Sequence, residues 1–428
     1  MKNEITLHPA RNLAGTLRLP GDKSIANRYA MLAALAGGRS VLENFSTGED
    51  CAHTLGCLRA LGCGIRDAGG GRIEIEGRGR ELAAPAGPLD CGNSGSTMRM
   101  LAGILAAQDF PSELAGDASL SRRPMARVIE PLTAMGARIS SADGRPPLRI
   151  TGSKLRALDY RMPVASAQVK SSVLFAGLLA QGETFVEEPL PTRDHGELAL
   201  QAFGAEITRA RNRVAIVGGQ KLHGIEARIP GDLSTAAFFL CAAALFPDSS
   251  LTVEELLLNP TRAAVLDLLA SMGARILTLT LEVHNGELVG TVKLEAAALT
   301  GAVISGAQTA ALIDELPVLA AIAPCTEEGI EIRDARELRV KESDRIAAIA
   351  AGLRAMGAEV EEREDGLRVP GRQKLRGARV AAAGDHRIAM AFAVAALRAQ
   401  GETTITGADA AAVSYPEFFA TLEGLIQR

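Results

Sequence analysis

The hydrophobic positions of this chain follow a pattern that occurs six times. Each copy is a run of small apolar residues that ends near a Gly or Pro and leads into a short β-branched segment. The copies lie at residues 33–45, 102–117, 176–189, 241–256, 320–334 and 393–407. Because the apolar run has little charge on any side, it predicts a helix that is buried nearly all round. The β-branched segment that follows predicts a short strand.

A second pattern lies between these copies and marks where further helices end. The segments LRALGCGI, LTAMGARI, LQAFGAEI, LASMGARI and LRAMGAEV share a glycine just after the predicted helix, and LEGLIQR at the C-terminus is a degenerate sixth copy. A spacing of about 70–80 residues leaves room for two helices and several strands in each repeat. The two patterns therefore predict an α/β protein built from like units that pack with pseudo-symmetry.

The two halves of the chain also match each other. The sixteen residues that begin at Pro20 align without a gap on the sixteen that begin at Pro230. A Gly, an Asp and a Ser recur in both, and we interpret them as a turn and a helix N-cap. Lys23 and Arg28 do not recur, since the second half has Leu and Phe at these positions. Because the fold forms without these cations in the second half, we expect both to bind a ligand.

Polar residues gather at the predicted helix starts, which lie at residues 21–28, 91–99, 165–171, 230–237, 312–318 and 384–390. A helix start offers unpaired N–H groups and a positive dipole end, which suit phosphate and carboxylate. Capping explains the Ser, Asp and Asn residues there, but it does not explain Lys23, Arg28, Gln168 or Arg387.

Two further segments are rich in cations. In LRVKESDRIAAI, Lys341 and Arg345 are four residues apart, so we expect them on one face of a helix with Glu342 beside them. The segment SLSRRPMARV adds Arg122, Arg123 and Arg127. Taken singly, the first segment also fits a solvated helix and the second a basic loop.

Composition narrows the function further. The chain has 428 residues, of which 47% are hydrophobic and 3% aromatic, and a net charge of −4. The length predicts at least two domains, and the weak negative charge and scarce aromatics argue against a nucleic-acid partner. The apolar runs are too interrupted to cross a membrane, and the N-terminus lacks the apolar core of a signal peptide. Scattered cysteines predict reduced thiols and a cytoplasmic protein, and neither they nor the histidines have the spacing of a metal site.

Eight motifs, taken together and in order, resemble those of the EPSP synthase family, the 3-phosphoshikimate 1-carboxyvinyltransferases. They are LPGDKSIANR, GNSGSTMR, GDASLSRRPM, ASAQVKS, TRDH, IDELP, LRVKESDR and GDHRIAM. The resemblance extends from about residue 5 to SYPEFF near the C-terminus, so it covers nearly the whole chain.

The resemblance implies the enolpyruvyl transferase fold. In this α/β fold two similar domains each contain three βαβαββ units with buried helices and outer sheets, an arrangement described as an inside-out α/β barrel. The first domain would combine residues 1–20 with 230–428, and the second would comprise residues 21–229. The active site would lie in the cleft between them.

The resemblance also implies an enzyme of the shikimate pathway, which leads to chorismate and the aromatic amino acids. It would join phosphoenolpyruvate to the 5-hydroxyl of shikimate 3-phosphate by addition and elimination, with no metal or other cofactor. We expect a cytoplasmic monomer whose partners are these two small molecules, with no nucleic acid and no membrane.

Residue roles follow from the matching motifs. The resemblance assigns shikimate 3-phosphate binding to Lys23, Ser24, Arg28, Ser166, Ala167, Gln168, Arg193, Asp314 and Lys341. It assigns phosphoenolpyruvate binding to Lys23, Asn93, Gly95, Arg123, Gln168, Lys341, Arg345 and Arg387. The implied catalytic groups are Asp314, which takes the hydroxyl proton, and Glu342 with Lys23, which move the proton at C3. Asp385 and His386 would support this region.

Some positions depart from the family pattern. Some members carry a lysine where this chain has Val413, so one phosphate contact is missing or supplied elsewhere. Gly95 is the small residue associated with glyphosate sensitivity in the family. Ser96 and Met100 differ from common sensitive forms, which leaves sensitivity open.

Two alternatives stay open. One is UDP-N-acetylglucosamine 1-carboxyvinyltransferase, which shares the fold. Its relatives place a catalytic cysteine in the loop where this chain has Asp117 and Ala118. The other is a non-catalytic relative that binds anions.

Overall fold

Contacts divide the chain into two compact units. The structure, a computed structural model, describes residues 3–295 and 297–428. Unit one contains the residues up to Pro20 together with Pro230–Glu282 and Leu288–Arg428, and unit two contains Gly21–Ile229 and Val283–Glu287. In the described part of the chain, no helix has the length and apolarity needed to span a membrane.

The chain begins in unit one and then forms unit two. The first two strands, in unit one, are β1 (Glu4–Leu7) and β2 (Asn12–Arg18). The elements of unit two are α1 (Lys23–Leu35), β3 (Ala36–Gly37), β4 (Arg39–Glu43), α2 (Glu49–Ala60), β5 (Gly64–Asp67), β6 (Ile73–Glu76), β7 (Leu89–Asp90), α3 (Gly95–Leu105), β8 (Pro111–Ala115), α4 (Ala126–Ala134), β9 (Arg138–Ala142), β10 (Arg145–Thr151), β11 (Asp159–Arg161), α5 (Ala167–Leu179), β12 (Glu183–Glu187), α6 (His195–Ala202), β13 (Ile207–Ala210), β14 (Arg213–Val217), β15 (Leu222–His223) and β16 (Glu226–Arg228).

The rest of the chain completes unit one, except that the tip of one hairpin groups with unit two. Its elements are α7 (Leu233–Ala244), β17 (Ser250–Leu257), α8 (Ala264–Ser271), β18 (Arg275–His284), β19 (Glu287–Glu295), β20 (Gly301–Ile304), α9 (Gly306–Ala311), α10 (Leu316–Ile322), β21 (Gly329–Ile332), α11 (Arg345–Ala355), β22 (Glu361–Arg363), β23 (Gly366–Pro370), β24 (Arg379–Ala381), α12 (His386–Ala396), β25 (Thr403–Thr406), α13 (Phe418–Leu425) and β26 (Ile426–Gln427). Short 3-10 helices add further turns, among them Arg336–Val340 and Ala408–Val413.

Unit two contains three four-stranded sheets with the same topology. Their strand orders are β16-β4-β6-β5, β7-β8-β10-β9 and β11-β12-β14-β13. In each sheet the first pair of strands is parallel and the other two pairs are antiparallel. The predicted repeat of two helices and several strands is therefore confirmed, and it has the order βαβαββ.

Unit one contains three sheets built on the same plan. Their strand orders are β18-β19-β17-β2-β26, β20-β21-β23-β22 and β1-β25-β24. Each has one parallel pair next to an antiparallel pair. The N-terminal strand β1 completes the last sheet, where Glu4 pairs with Thr406. Among the described residues each of these sheets is open, and none closes on itself as a barrel.

The glycines of the second sequence pattern end helices as predicted. Gly136 has a φ of 115° and Gly273 a φ of 112°, and the equivalent glycines at 62, 204 and 357 also have positive φ. These backbone angles are costly for a residue with a Cβ atom, so glycine lets the chain turn from helix to strand at once. In the degenerate sixth copy, Gly424 lies inside α13 and the helix ends without such a turn.

The helices of the first sequence pattern are almost entirely buried, as their apolar composition predicts. Every residue of α7 and of α12 is buried. In unit two, α3 and α5 pack so closely that a Cβ atom at Gly103 would lie only 2.2 Å from the carbonyl oxygen of Ser172. Glycine at this position is therefore required by packing.

This contact predicts the effect of a methyl group between the two helices. We expect Gly103→Ala to lower the free energy of unfolding by about 1–3 kcal/mol, because the close-packed helices must separate. The matched control is Gly56→Ala in α2, where a Cβ atom meets nothing within 4 Å. It should raise stability by up to about 1 kcal/mol, since Ala favours the helix. Urea unfolding followed by circular dichroism measures both, and equal stabilities would contradict the packing argument.

Candidate active site

Lys23 lies in the first turn of α1 and forms a buried ion pair. Its Nζ atom donates to Asp50 Oδ2 at 2.8 Å, and only 8% of the Asp50 side chain is exposed. Asp50 was not among the residues predicted from the sequence. No local motif marks Asp50, because its partner Lys23 lies 27 residues away in the sequence.

Arg28 connects the start of α1 to the start of α5. It is 2% exposed. Its Nε donates to Ser171 Oγ at 3.1 Å, its Nη1 to the Ser24 carbonyl at 2.9 Å and its Nη2 to the Ala167 carbonyl at 3.4 Å. The structure therefore brings together three of the predicted binding residues of unit two.

The start of α3 brings together another set. Arg99, which was not among the residues predicted from the sequence, donates from Nη1 to Gln168 Oε1 at 2.7 Å. A Cβ atom at Gly95 would lie 2.8 Å from Arg99 Nη1 and 3.3 Å from Arg123 Nη1. Gly95 thus leaves space that two guanidinium groups border.

Arg123 is held by the residue before the α3 cap. Its Nη2 donates to Asn93 Oδ1 at 2.5 Å, and Asn93 Nδ2 donates to Asp117 Oδ2 at 2.7 Å. With the contacts above, these residues define what we call the unit-two cluster: Lys23, Ser24, Arg28, Asn93, Gly95, Arg99, Arg123, Ala167 and Gln168.

Two other predicted residues of unit two are Ser166, which precedes Ala167 in the sequence, and Arg193, which lies on a separate loop. Ser166 is the N-cap of α5, and its Oγ accepts from the Val169 N–H at 3.3 Å. Arg193 lies in the segment between β12 and α6 and is partly exposed.

In unit one, a single buried guanidinium joins three acidic residues. Arg345 donates from Nε to Asp385 Oδ2 at 2.8 Å and from Nη2 to Glu342 Oε2 at 2.5 Å. Its Nη1 lies 3.8 Å from Asp314 Oδ1. Burial alone would lower the pKa of Arg345, but Asp385 and Glu342 raise this pKa above its ordinary value. Arg345 therefore stays charged although it is only 1% exposed.

Arg387 contacts the same acidic residues from the start of α12. Its Nη1 donates to the Asp314 carbonyl at 2.7 Å, and its Nε lies 3.7 Å from Asp314 Oδ1. Its own N–H donates to Asp385 Oδ1, which caps the helix. His386 is 2% exposed, and its Nδ1 lies 3.9 Å from Asp385 Oδ1.

The expected shared helical face of Lys341 and Arg345 is wrong. Lys341 follows the 3-10 helix Arg336–Val340, and α11 begins only at Arg345 because Asp344 caps it. The two residues still interact electrostatically. Burial lowers the pKa of Lys341, and Arg345 acts in the same direction, while Asp314 opposes it. We call Asp314, Lys341, Glu342, Arg345, Asp385, His386 and Arg387 the unit-one cluster.

The cysteines lie outside both clusters. All six cysteines are unpaired, and burial raises the pKa of Cys51 to about 12, so this thiol stays protonated at neutral pH. Among the described residues, no group of three or more His, Cys, Asp or Glu side chains could hold a metal ion. Val413, where some relatives have lysine, ends the 3-10 helix Ala408–Val413.

The two clusters differ in chemical character. The unit-two cluster contains four cationic side chains and several amide and hydroxyl groups, which suit anionic ligands. Both clusters have carboxylates beside their cations, but Asp50, which pairs with Lys23, is 8% exposed, whereas Asp314 and Glu342 of the unit-one cluster are both 17% exposed. Such carboxylates repel an anion and can accept a proton.

Comparison with known proteins identifies one family. The family model described as EPSP synthase (3-phosphoshikimate 1-carboxyvinyltransferase) matches residues 7–422. A 3-phosphoshikimate 1-carboxyvinyltransferase from Koribacter versatilis is 62% identical over 424 residues, which cover 99% of each chain. One from Solibacter usitatus is 55% identical over 98% of this chain and 99% of its own.

A solved structure agrees with these sequence relatives. The EPSP synthase from Acinetobacter baumannii superposes with a TM-score of 0.88 at 40% sequence identity. The match covers 99% of this chain and 98% of that chain. The predicted enolpyruvyl transferase fold is therefore confirmed.

Proposed function

The chain belongs to the EPSP synthase family, and we propose that its two charged clusters divide the work of the family's reaction between them. The chain transfers the enolpyruvyl group of phosphoenolpyruvate to the 5-hydroxyl of shikimate 3-phosphate and releases phosphate, a step of aromatic amino acid biosynthesis. The observation that carries this function is the match over residues 7–422.

The reaction has two stages that make different demands on the protein. The 5-hydroxyl oxygen first adds to C2 of phosphoenolpyruvate while C3 gains a proton. The tetrahedral intermediate then loses a proton from C3, and the C2–O bond to phosphate breaks. Both substrates carry a phosphate and a carboxylate, so the site needs several cations as well as groups that move protons.

We assign substrate binding mainly to the unit-two cluster. Shikimate 3-phosphate would contact Lys23, Ser24, Arg28, Ser166, Ala167, Gln168 and Arg193, and also Asp314 and Lys341 of unit one. Phosphoenolpyruvate would contact Lys23, Asn93, Gly95, Arg123, Gln168, Lys341, Arg345 and Arg387. The hydrogen bonds from Arg28 to Ser24 and Ala167, and from Arg123 to Asn93, support these assignments because they place the donors before a substrate binds.

We assign proton transfer to the carboxylates of the unit-one cluster. Asp314 would take the proton of the attacking hydroxyl, and Glu342 with Lys23 would move the proton at C3. Both carboxylates are partly exposed beside cations that attract the substrates, which leaves each able to exchange a proton with a bound substrate. Asp385 would act indirectly, since it holds Arg345 and caps the helix that carries Arg387.

The alternative acceptor UDP-N-acetylglucosamine is disfavoured by the loop that precedes α4. Asp117 stands where those relatives have a catalytic cysteine. Its Oδ2 accepts from Asn93 at 2.7 Å and its Oδ1 from the Leu120 N–H at 2.7 Å. Asp117 thus has a structural role in this chain. The relatives described above also carry the name of the shikimate enzyme.

We further propose a cytoplasmic monomer that uses no cofactor and binds neither nucleic acid nor membrane. The unpaired thiols agree with a reducing compartment. The main group of exposed apolar side chains lies on β18, where Leu279, Leu281 and Val283 are 55%, 58% and 65% exposed. Three side chains fall well short of the roughly 800 Å² per partner that a stable interface buries.

The proton-transfer roles predict a selective loss of turnover. We expect Asp314→Asn and Glu342→Gln each to lower kcat by about 10²–10⁴-fold, because each removes a group that accepts or donates a proton. The shikimate 3-phosphate Kd should change far less than kcat, since the amide keeps the shape of the acid. A coupled phosphate-release assay and calorimetry measure the two quantities. Full turnover of either variant would show that the assigned group is wrong.

The same assay tests the acceptor. Phosphate release should require shikimate 3-phosphate, and UDP-N-acetylglucosamine in its place should give none. Turnover with UDP-N-acetylglucosamine alone would contradict the function.

The environment of Lys341 predicts a pH dependence. Its pKa lies below the ordinary value of 10.5, so the ammonium loses its proton at a lower pH than an exposed lysine does. Because only the protonated form attracts phosphate or carboxylate, kcat/KM should fall as pH rises through this lowered pKa. Lys341→Arg should move the alkaline limb to higher pH, since a guanidinium stays charged there. An unmoved limb would show that another group titrates.

The two guanidinium groups close to Gly95 predict how a methyl group at this position affects phosphoenolpyruvate binding. We expect Gly95→Ala to raise the KM for phosphoenolpyruvate by about threefold to tenfold, because the methyl group displaces Arg99 and narrows the space beside Arg123. The KM for shikimate 3-phosphate and the stability should change little. Gly56→Ala again serves as the matched control. Equal rises in both KM values would argue against a local effect on phosphoenolpyruvate.

A further inference from the structure

Unit two contains a buried charged triad that none of the assigned roles uses. Lys170 lies on α5, and its Nζ is 2.8 Å from Glu188 Oε2 and 2.8 Å from Glu197 Oε1. The three side chains are only 1%, 5% and 2% exposed. Three buried charges are costly to desolvate, and apolar side chains of similar size often stabilise a protein as well or better. The triad therefore calls for a reason other than stability.

The two carboxylates of the triad stand at opposite ends of one segment. Glu188 follows β12 directly, and Glu197 lies in the first turn of α6. The segment between them contains Arg193. The Thr192 hydroxyl donates to the second oxygen of Glu188, and Asn212 Nδ2 donates to the Glu188 carbonyl at 2.7 Å. One ammonium group thus holds both ends of the segment that carries Arg193.

The start of helix α5 carries three of the other residues assigned to shikimate 3-phosphate, namely Ser166, Ala167 and Gln168. Lys170 lies one turn after Ser166 and Ala167, and its neighbour Ser171 accepts a hydrogen bond from Arg28. A Cβ atom at Gly196 would lie 2.5 Å from Ser171 Oγ, so the start of α6 packs directly on α5. Lys170 is therefore at the point where the Arg193 segment joins a helix whose start presents other assigned contacts.

We propose that Lys170 is a positioning residue for shikimate 3-phosphate: by holding Glu188 and Glu197, it fixes the segment that carries Arg193. This inference rests on the binding role proposed above for Arg193. The triad itself does not bind the substrate, because its three charges sum to one negative charge and it is buried. Its effect passes through the backbone of residues 188–197.

The test uses two variants that loosen the triad to different degrees. Glu188→Gln removes one carboxylate and leaves Lys170 paired with Glu197, whereas Lys170→Met removes the ammonium from both. We expect each to raise the Kd for shikimate 3-phosphate by about tenfold or more, because a small displacement of a binding group has a large effect. The KM for phosphoenolpyruvate and kcat at saturating substrates should change by less than about threefold.

A matched control separates this effect from a general loss of packing. Glu74→Gln also changes a buried carboxylate in unit two; Glu74 is 7% exposed and pairs with Arg39 and Arg66 on a sheet. It should leave the shikimate 3-phosphate Kd unchanged. If Glu74→Gln weakens binding as much as Glu188→Gln does, the inference is overturned.

The variant Arg193→Gln tests the binding role of Arg193 directly and serves as the background for Glu188→Gln. It should weaken shikimate 3-phosphate binding, and Glu188→Gln should have little further effect in that background, since both act through one contact. If Arg193→Gln has no effect, the proposed binding role of Arg193 fails and this inference with it. If Arg193→Gln weakens binding but Glu188→Gln and folded Lys170→Met bind normally, only the inference fails. Should Lys170→Met not fold, Glu188→Gln decides.

Discussion

The burial of whole helices is the constraint on which the rest of this structure depends. A helix such as α12, with every residue buried, has no solvent face on which to carry polar chemistry. Polar groups are then confined to its first turn, where unpaired N–H groups need partners in any case. His386 and Arg387 stand at that end, and Lys23 and Gln168 occupy the first turns of α1 and α5. The architecture thus determines where a site can be.

The same constraint explains why the charges of the site are already paired within the protein. A buried guanidinium such as that of Arg345 would be very unfavourable alone, and Asp385 and Glu342 compensate it. The pairs also fix the donors in space, so little reorganisation is needed when charge develops in the reaction. Lys23 with Asp50 follows the same principle in unit two. Stability and preorganisation are therefore served by the same ion pairs.

Much of the fold was predictable from the sequence, because the patterns that indicate it are local and recur along the chain. The glycines that end helices, the apolar helices and the polar first turns each recur, and a recurring pattern indicates the fold before any contact is known. The second half has no counterpart of Lys23 or Arg28, which indicated that these two cations bind a ligand and are not needed for the fold. The expected helical face of Lys341 and Arg345 failed because one capping residue, Asp344, moved the start of α11.

Contacts between distant segments were not predictable from the sequence. Arg99 and Gln168 are 69 residues apart, and Lys170 looks like any lysine in a helix until Glu188 and Glu197 are placed around it. Assigning Arg193 and Asp314 to substrates depended on the resemblance rather than on physical pattern.

The order of the strands has a consequence for synthesis on the ribosome. Unit two is a nearly continuous stretch of chain, so it can begin to fold while the rest is still being translated. Strand β1 precedes unit two in the chain and its partner β25 follows it, so β1 cannot pair until all of unit two has been translated.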